Sequence, residues 1–307
     1  MQGARHIEKG EKNTEMITEK SIKSEVLTIE TLTETDVHDV VRLSNLLERG
    51  YAESEIRMIL QAGNLLGHRS GEGTIVSTAA ILPYQGNLAS LGVVMVDYRY
   101  RRRGLATRLV QTCMDIVPEY SVMLVATDEG KPLYEKLGFR TVDTLHRMIA
   151  GEYQYQRPAH LQMQYTQFCS IDEQDLPELL KLDQEAFGAD RSKFLNLRLR
   201  QAKYTSILRN HAGRCTGYAL AVPTPELLVI GPVVAPDSRL AFLLIDDIAR
   251  RYQGKIQINI PSVHQDLIRF LMRCGFKLAR IAPVMMSGVY RMPPRNHLFA
   301  VSDRSYG

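Results

Sequence analysis

The chain has 307 residues, of which 45% are hydrophobic and 23% charged; this fits a soluble globular protein of about two domains. No apolar run approaches the roughly 18 residues of a membrane-spanning helix, and the polar stretch Met1–Lys9 lacks the apolar centre of a secretory signal, so a cytoplasmic location and no membrane partner are expected. A formal net charge of +4 is too small to imply nucleic acid by itself, and the four cysteines and eight histidines lie too far apart for metal-ligand spacing, so buried free thiols and no metal are expected.

In chain order, residues 1–23 are rich in Glu, Lys, Thr and Ser and read as a flexible N-terminal tail. Val26–Leu32 alternates as a strand. Thr35 and Asp36 can cap a helix with Val37, Val40, Val41, Leu43, Leu46 and Leu47 on one side. A short helix over Ser54–Gln61 ends at Gly63-Asn64. Three extended segments, Leu65–Arg69, Thr74–Leu82 and Leu88–Val96, are punctuated by glycines and read as an antiparallel meander. Gly104–Ile116 is a long amphipathic helix stopped by Pro118, Val122–Ala126 a buried strand, Lys131–Leu137 a helix, and 139–150 extended again. The polar, proline-containing stretch 151–164 reads as a linker.

The second half repeats the first. Asp36 and Asp175 open corresponding helices 139 residues apart, and Leu91-Gly92-Val93-Val94 matches Ile230-Gly231-Pro232-Val233 at the same offset. Tyr134–Phe139 matches Leu271–Phe276 at an offset of 137. Two copies mark a tandem duplication rather than a solenoid.

The chemistry concentrates at Val94–Leu109. A β-branched strand ends at Val96, a turn carries Arg99, Arg101, Arg102 and Arg103, and a helix starts near Gly104. Amides at a helix N-terminus lack intrahelical partners and suit a phosphate. Gly104 and the small Ala106 let an anion approach the backbone, and the arginines add charge. The segment reads as a pyrophosphate cradle. For the arginines alone the plainer alternatives are a basic solvated turn or a nucleic-acid patch, but stacking platforms and a wider basic face are missing. A second cluster is Pro132–Phe139. Tyr134 sits on its helix, and a phenol with pKa near 10 stays protonated at neutral pH and can donate to a departing thiolate; a core tyrosine is the plainer alternative.

Arg101-x-x-Gly104-x-Ala106 resembles the acetyl-CoA loop of the GNAT superfamily of N-acetyltransferases, with the pattern Arg/Gln-x-x-Gly-x-Gly/Ala, and the element order over 26–150 is similar too. Tyr98 stands where a proline is common and Arg102 where a glycine is common. The whole chain resembles tandem-domain bacterial members with a degenerate second copy. The resemblance implies an α/β (α+β) fold of two tandem GNAT-like domains, each a mixed, mostly antiparallel sheet flanked by helices: a catalytic acetyl-CoA-binding domain at 24–150 and a degenerate domain at 165–307.

It also implies that Val94, Met95 and Val96 bind pantetheine and that the loop from Arg101 through Arg102, Arg103, Gly104, Leu105, Ala106 and Thr107 holds the pyrophosphate. Tyr134 would protonate the CoA thiolate as acetyl passes to a primary amine of a small molecule or peptide. Alternation puts no basic side chain on the face of Ser90, Gly92, Val94 and Val96 and turns Asp97 away; Glu30 and Glu135 are only nearby carboxylates, so no general base is assigned. The non-catalytic alternative is an acyl-CoA sensor or interaction module. At the matching place the second domain reads Val233–Ile245, without the basic cluster or the helix-opening glycine, and Leu271 replaces Tyr134. It is expected not to bind CoA tightly and to wall the acceptor cleft or form a homodimer contact. Asp190-Arg191 and His264-Gln265 read as helix caps.

Overall fold

The computed structural model describes residues 26–155, 167–289, 295–303 and 306. The expected tail at 1–23 and most of the expected linker, 156–164, lie outside these residues.

The first half runs β1 (Ile29–Thr31), α1 (Val37–Leu46), α2 (Glu53–Ala62), β2 (Asn64–Arg69), β3 (Ile75–Tyr84), β4 (Leu88–Val96), α3 (Leu105–Ile116), β5 (Ser121–Val125), α4 (Lys131–Lys136) and β6 (Arg140–Ala150). The second half repeats it as β7 (Gln167–Cys169), α5 (Leu176–Phe187), α6 (Ser192–Gln201), β8 (Tyr204–Arg209), β9 (Cys215–Pro223), β10 (Leu228–Val234), α7 (Ser238–Ala249), β11 (Ile256–Pro261), α8 (Gln265–Arg273) and β12 (Phe276–Ser287), followed by β13 (Leu298–Ala300). The predicted helices and meander form with their ends shifted by a few residues. Burial shows why: Val37, Val40 and Leu43 of α1 recur at helical spacing and are fully buried.

The strands make one continuous sheet in the order β1-β2-β3-β4-β5-β12-β6-β11-β10-β9-β8-β7, with β13 beside β10. Pairing is antiparallel except at β4–β5 and β10–β11. The halves exchange their last strands. β6 lies between β12 and β11, and β12 between β5 and β6. The two long strands pair with each other from Phe276↔Ala150 to Met286↔Arg140. Each also satisfies the other half: β11 pairs β6 from Ile256↔Ala150 to Pro261↔Leu145, and β5 pairs β12 from Val125↔Val284 to Val122↔Ser287. Residues 139–150 are extended as expected, but they bond to strands of the second half.

One face of the sheet carries a common core that mixes the halves, with Ile56 and Ile59 of α2 in the same cluster as Phe194 and Leu195 of α6. The other buried clusters are one around α3, a small one of Leu27, Val76, Tyr100 and Leu105 at its N-terminal end, and one around α7 and α8. A buried ion pair braces the common core. Arg191 donates to both carboxylate oxygens of Asp183 at 2.8 Å, and the Tyr218 hydroxyl donates to the same carboxylate at 2.5 Å. Arg191 holds the N-cap position of α6 but its side chain caps nothing, whereas Asp190 does accept the Ser192 amide at 2.8 Å.

Candidate active site

β4 and β5 pair only from Leu88↔Ser121 to Ser90↔Met123 and then diverge. The departure coincides with a bulge where Val93 takes a φ of 54° and its carbonyl accepts from Thr78 Oγ1 at 2.7 Å. β-Branched residues rarely adopt that conformation. The divergence opens a cleft of about 340 Å³, walled by Leu91–Val96 of β4, Leu124 and Val125 of β5, the first turn of α3, the 127–130 turn, Leu133 and Tyr134 of α4, and Leu47, Arg49 and Tyr51 from the α1–α2 connection. The backbone of β4 beyond Ser90 is thus left without its parallel neighbour along one edge, as a strand-like ligand requires.

At the end of β4, Asp97 is buried. Burial raises its pKa, but the Arg99 side chain and amide hold it below the ordinary carboxylate range; the amide donates at 2.9 Å and Nη2 at 2.8 Å. Arg99 is therefore committed to the turn. Arg101 donates from Nη1 to Glu129 at 2.8 Å and lies 4.2 Å over the Tyr98 ring. Arg102 is exposed at a φ of 61°, and Gly104 caps α3 at a φ of 74°. A Cβ at Gly104 would meet nothing within 4 Å, so the glycine answers a backbone requirement and leaves the space before α3 open. The amides of Leu105, Ala106 and Thr107 face that space without intrahelical acceptors.

All the predicted site residues except Arg103 line this one cleft. Arg103 instead leans over the Tyr100 ring at 5.5 Å. Tyr134 stands opposite β4, edge-on to Phe139 with ring centroids 5.8 Å apart. Burial pushes its phenol further above the usual value, with a smaller push from Tyr51 and a smaller opposing effect of Arg49. It is protonated at any physiological pH. Glu30 and Glu135 are bound elsewhere, to Arg69 at 3.2 Å and Lys131 at 3.7 Å.

The sequence reading did not single out Arg49, Tyr51, Thr127 or Glu129. Glu129 binds Arg101 and also approaches Arg49 Nη2 at 3.9 Å, tying three connections together across the mouth. Thr127 holds the turn before α4 by accepting the Gly130 amide at 3.0 Å. The turn's position between a buried strand and the Pro132 helix was the available signal.

Residues 39–139 match the Acetyltransferase (GNAT) family, and residues 179–300 match an Acetyltransferase (GNAT) domain. An uncharacterized N-acetyltransferase of Bacillus subtilis (strain 168), YitH, is 33% identical over 258 residues, covering 84% of this chain and 90% of the relative. The chain belongs to the GNAT acetyltransferase family. Its fold is that of other GNAT structures. A tandem GNAT protein from the clavulanic acid biosynthesis pathway superposes with a TM-score of 0.61 at 16% identity, covering 87% of this chain and all of the other. A GCN5-related N-acetyltransferase from Sphaerobacter thermophilus gives 0.63 at 17% identity, covering 85% and 95%.

GNAT enzymes use acetyl-CoA as co-substrate and act on amine acceptors. The splayed edge of β4 and the open amides of α3 fit the donor's arm and pyrophosphate. Among the described residues of this GNAT chain, no group of three or more His, Cys, Asp or Glu side chains is placed to hold a metal, and no helix is long and apolar enough to cross a membrane.

Proposed function

We propose that the first GNAT unit, residues 24–150, transfers acetyl from acetyl-CoA to a primary amine of a small molecule or peptide, with 165–307 as a degenerate partner. One observation carries this reading: a single cleft brings together a strand edge freed by splaying, open helix amides beside arginines, and a buried protonated tyrosine.

Val94, Met95 and Val96 would align the pantetheine arm. Arg101, Arg102 and Gly104–Thr107 would hold the pyrophosphate, with Arg103 adding charge from outside the cleft. The neutral amine nitrogen attacks the thioester carbonyl and passes its surplus proton to water, the C–S bond breaks, the Tyr134 hydroxyl gives its proton to the leaving sulfur, and the tyrosinate then takes a proton back from water. Glu129, the carboxylate on the cleft wall among the described residues, is engaged by Arg101. The acceptor therefore reaches the carbonyl as the free amine, having lost its proton to water. Rate at fixed substrate should then rise with pH towards the amine's own pKa, near 10 for an alkylamine.

The test is calorimetric titration of acetyl-CoA into wild type and Gly104→Glu, followed by a thiol-release screen of amines. One equivalent bound by wild type and lost in the variant is expected. A wild-type protein that binds none would end the transferase reading.

A further inference from the structure

The second domain reproduces the splay of the first. β10 and β11 pair in parallel from Leu228↔Ile256 to Ile230↔Ile258 and then part. In the first domain the matching gap is the open cleft. Here the gap contains β13. Val233 and Val234, the counterparts of Val94 and Met95, pair antiparallel with Ala300 and Leu298. On the other side the Val301 amide donates to the Asn259 carbonyl of β11 at 3.0 Å.

The fit is close and specific. A Cβ on Gly231 would lie 2.2 Å from the Val301 carbonyl oxygen. The Ala235 amide donates to the His297 carbonyl at 3.0 Å. His264 holds the N-cap position of α8, but its side chain turns elsewhere; its Nε2 donates to the carbonyls of Arg295 and Leu298 at 2.8 and 3.0 Å, and its ring lies 4.0 Å from that of Phe299. At the head of α7, where the first domain leaves amides open, the Asp237 carboxylate already accepts the Leu240 amide at 2.8 Å.

We propose that the chain occupies its own second donor cleft: Leu298–Val301 take the strand-like place of a pantetheine arm, and the Asp237 carboxylate takes the place of the pyrophosphate. The cleft is a peptide-strand slot with a resident occupant. This rests on reading the first cleft as the donor site. The slot also delivers the segment onward to Tyr306, whose carbonyl accepts the Tyr84 hydroxyl of β3 at 2.8 Å and whose ring packs 5.2 Å from Phe194 in the common core. The second domain thereby acts as an anchor for the seam between the halves and not as a second catalytic centre.

Hydrogen exchange on the full chain, with and without acetyl-CoA, tests this, beside Gly231→Ala and Val301→Pro. The expected result is slow exchange at Val301, Ala235 and Leu240 before ligand, about 100-fold or more below an unstructured amide, unchanged by acetyl-CoA. New protection should appear only at 92–107. Gly231→Ala should speed exchange at 298–301, and Val301→Pro, which has no amide at 301, at 298–300, both while keeping ligand protection at 92–107. Fast exchange at 298–301 in the unliganded wild type, or release of that segment as acetyl-CoA binds, overturns the occupancy while leaving the first site standing. No protection at 92–107, with 298–301 still slow, instead removes the donor reading and with it the comparison that makes this a donor slot.

Discussion

Val93 and Arg102 both hold positive φ angles, 54° and 61°, a conformation costing a non-glycine residue about 1–2 kcal/mol. Both lie on the cleft wall, one where β4 leaves β5 and one in the loop before α3, so the strain is concentrated at the cleft. The left-handed backbone at Arg102 explains why a glycine is common there. Arg102→Gly relieves strain in the folded chain but frees the unfolded one, so stability should move by less than about 1 kcal/mol, checked by a denaturant midpoint. Tyr134→Phe keeps the buried ring and its Phe139 contact and removes only the proton donor. It should lower kcat about 10²–10⁴-fold with the acetyl-CoA Kd unchanged, measured by thiol release and calorimetry. An unchanged kcat would return Tyr134 to the core. Asp183→Asn strands the fully buried Arg191 charge and should cost about 3–5 kcal/mol in urea unfolding.

Among the elements, α3 must hold its N-terminus steady against the cleft, and a buried histidine fastens it. His68 on β2 meets Ser77 Oγ of β3 through Nδ1 at 2.7 Å and Arg108 Nη2 of α3 through Nε2 at 2.7 Å, while Arg108 also donates to the Leu27 carbonyl at 2.9 Å. Nε2 accepts from Arg108, so the neutral ring carries its proton on Nδ1. Burial, then the charges of Arg108 and Arg103, lower its pKa to about 4. In the unfolded chain a histidine takes a proton near pH 6.5, so acid favours unfolding. The contribution is complete above pH 6.5 and is lost as pH falls towards 4, up to about 3 kcal/mol. Thermal melts of wild type and His68→Gln at pH 7.5 and 4.5 should show the wild type losing the larger increment. The helix start at Gly104-x-Ala106 was legible because a glycine ahead of an amphipathic run marks a helix N-terminus that needs a left-handed residue. Glu129 and His68 were less so, since their partners Arg101 and Arg108 lie 28 and 40 residues away. β13 was invisible for a further reason: Leu298–Ala300 is an ordinary apolar triplet, and only the splayed gap in the second sheet gives it a partner.

For the molecule as a whole, the strand exchange decides how it unfolds. Alternation along 140–150 identifies a strand but not its neighbours, and the long pairing of β6 with β12 is a contact between residues more than a hundred positions apart. Because β5 ends against β12 and β11 against β6, neither half has a complete sheet alone. The common core adds Phe187, Phe194 and Tyr306 from one half to Ile56, Ile59 and Leu65 from the other. Cutting between the halves would expose two long strand edges and an apolar face at once, which is an aggregation hazard. The chain should therefore melt in one calorimetric transition whose van't Hoff and calorimetric enthalpies agree, and residues 24–150 expressed alone should be insoluble or molten. Two resolved transitions, or a well-folded soluble fragment that binds acetyl-CoA with wild-type affinity, would show that the exchanged strands are dispensable and that the first unit stabilises its own sheet edge.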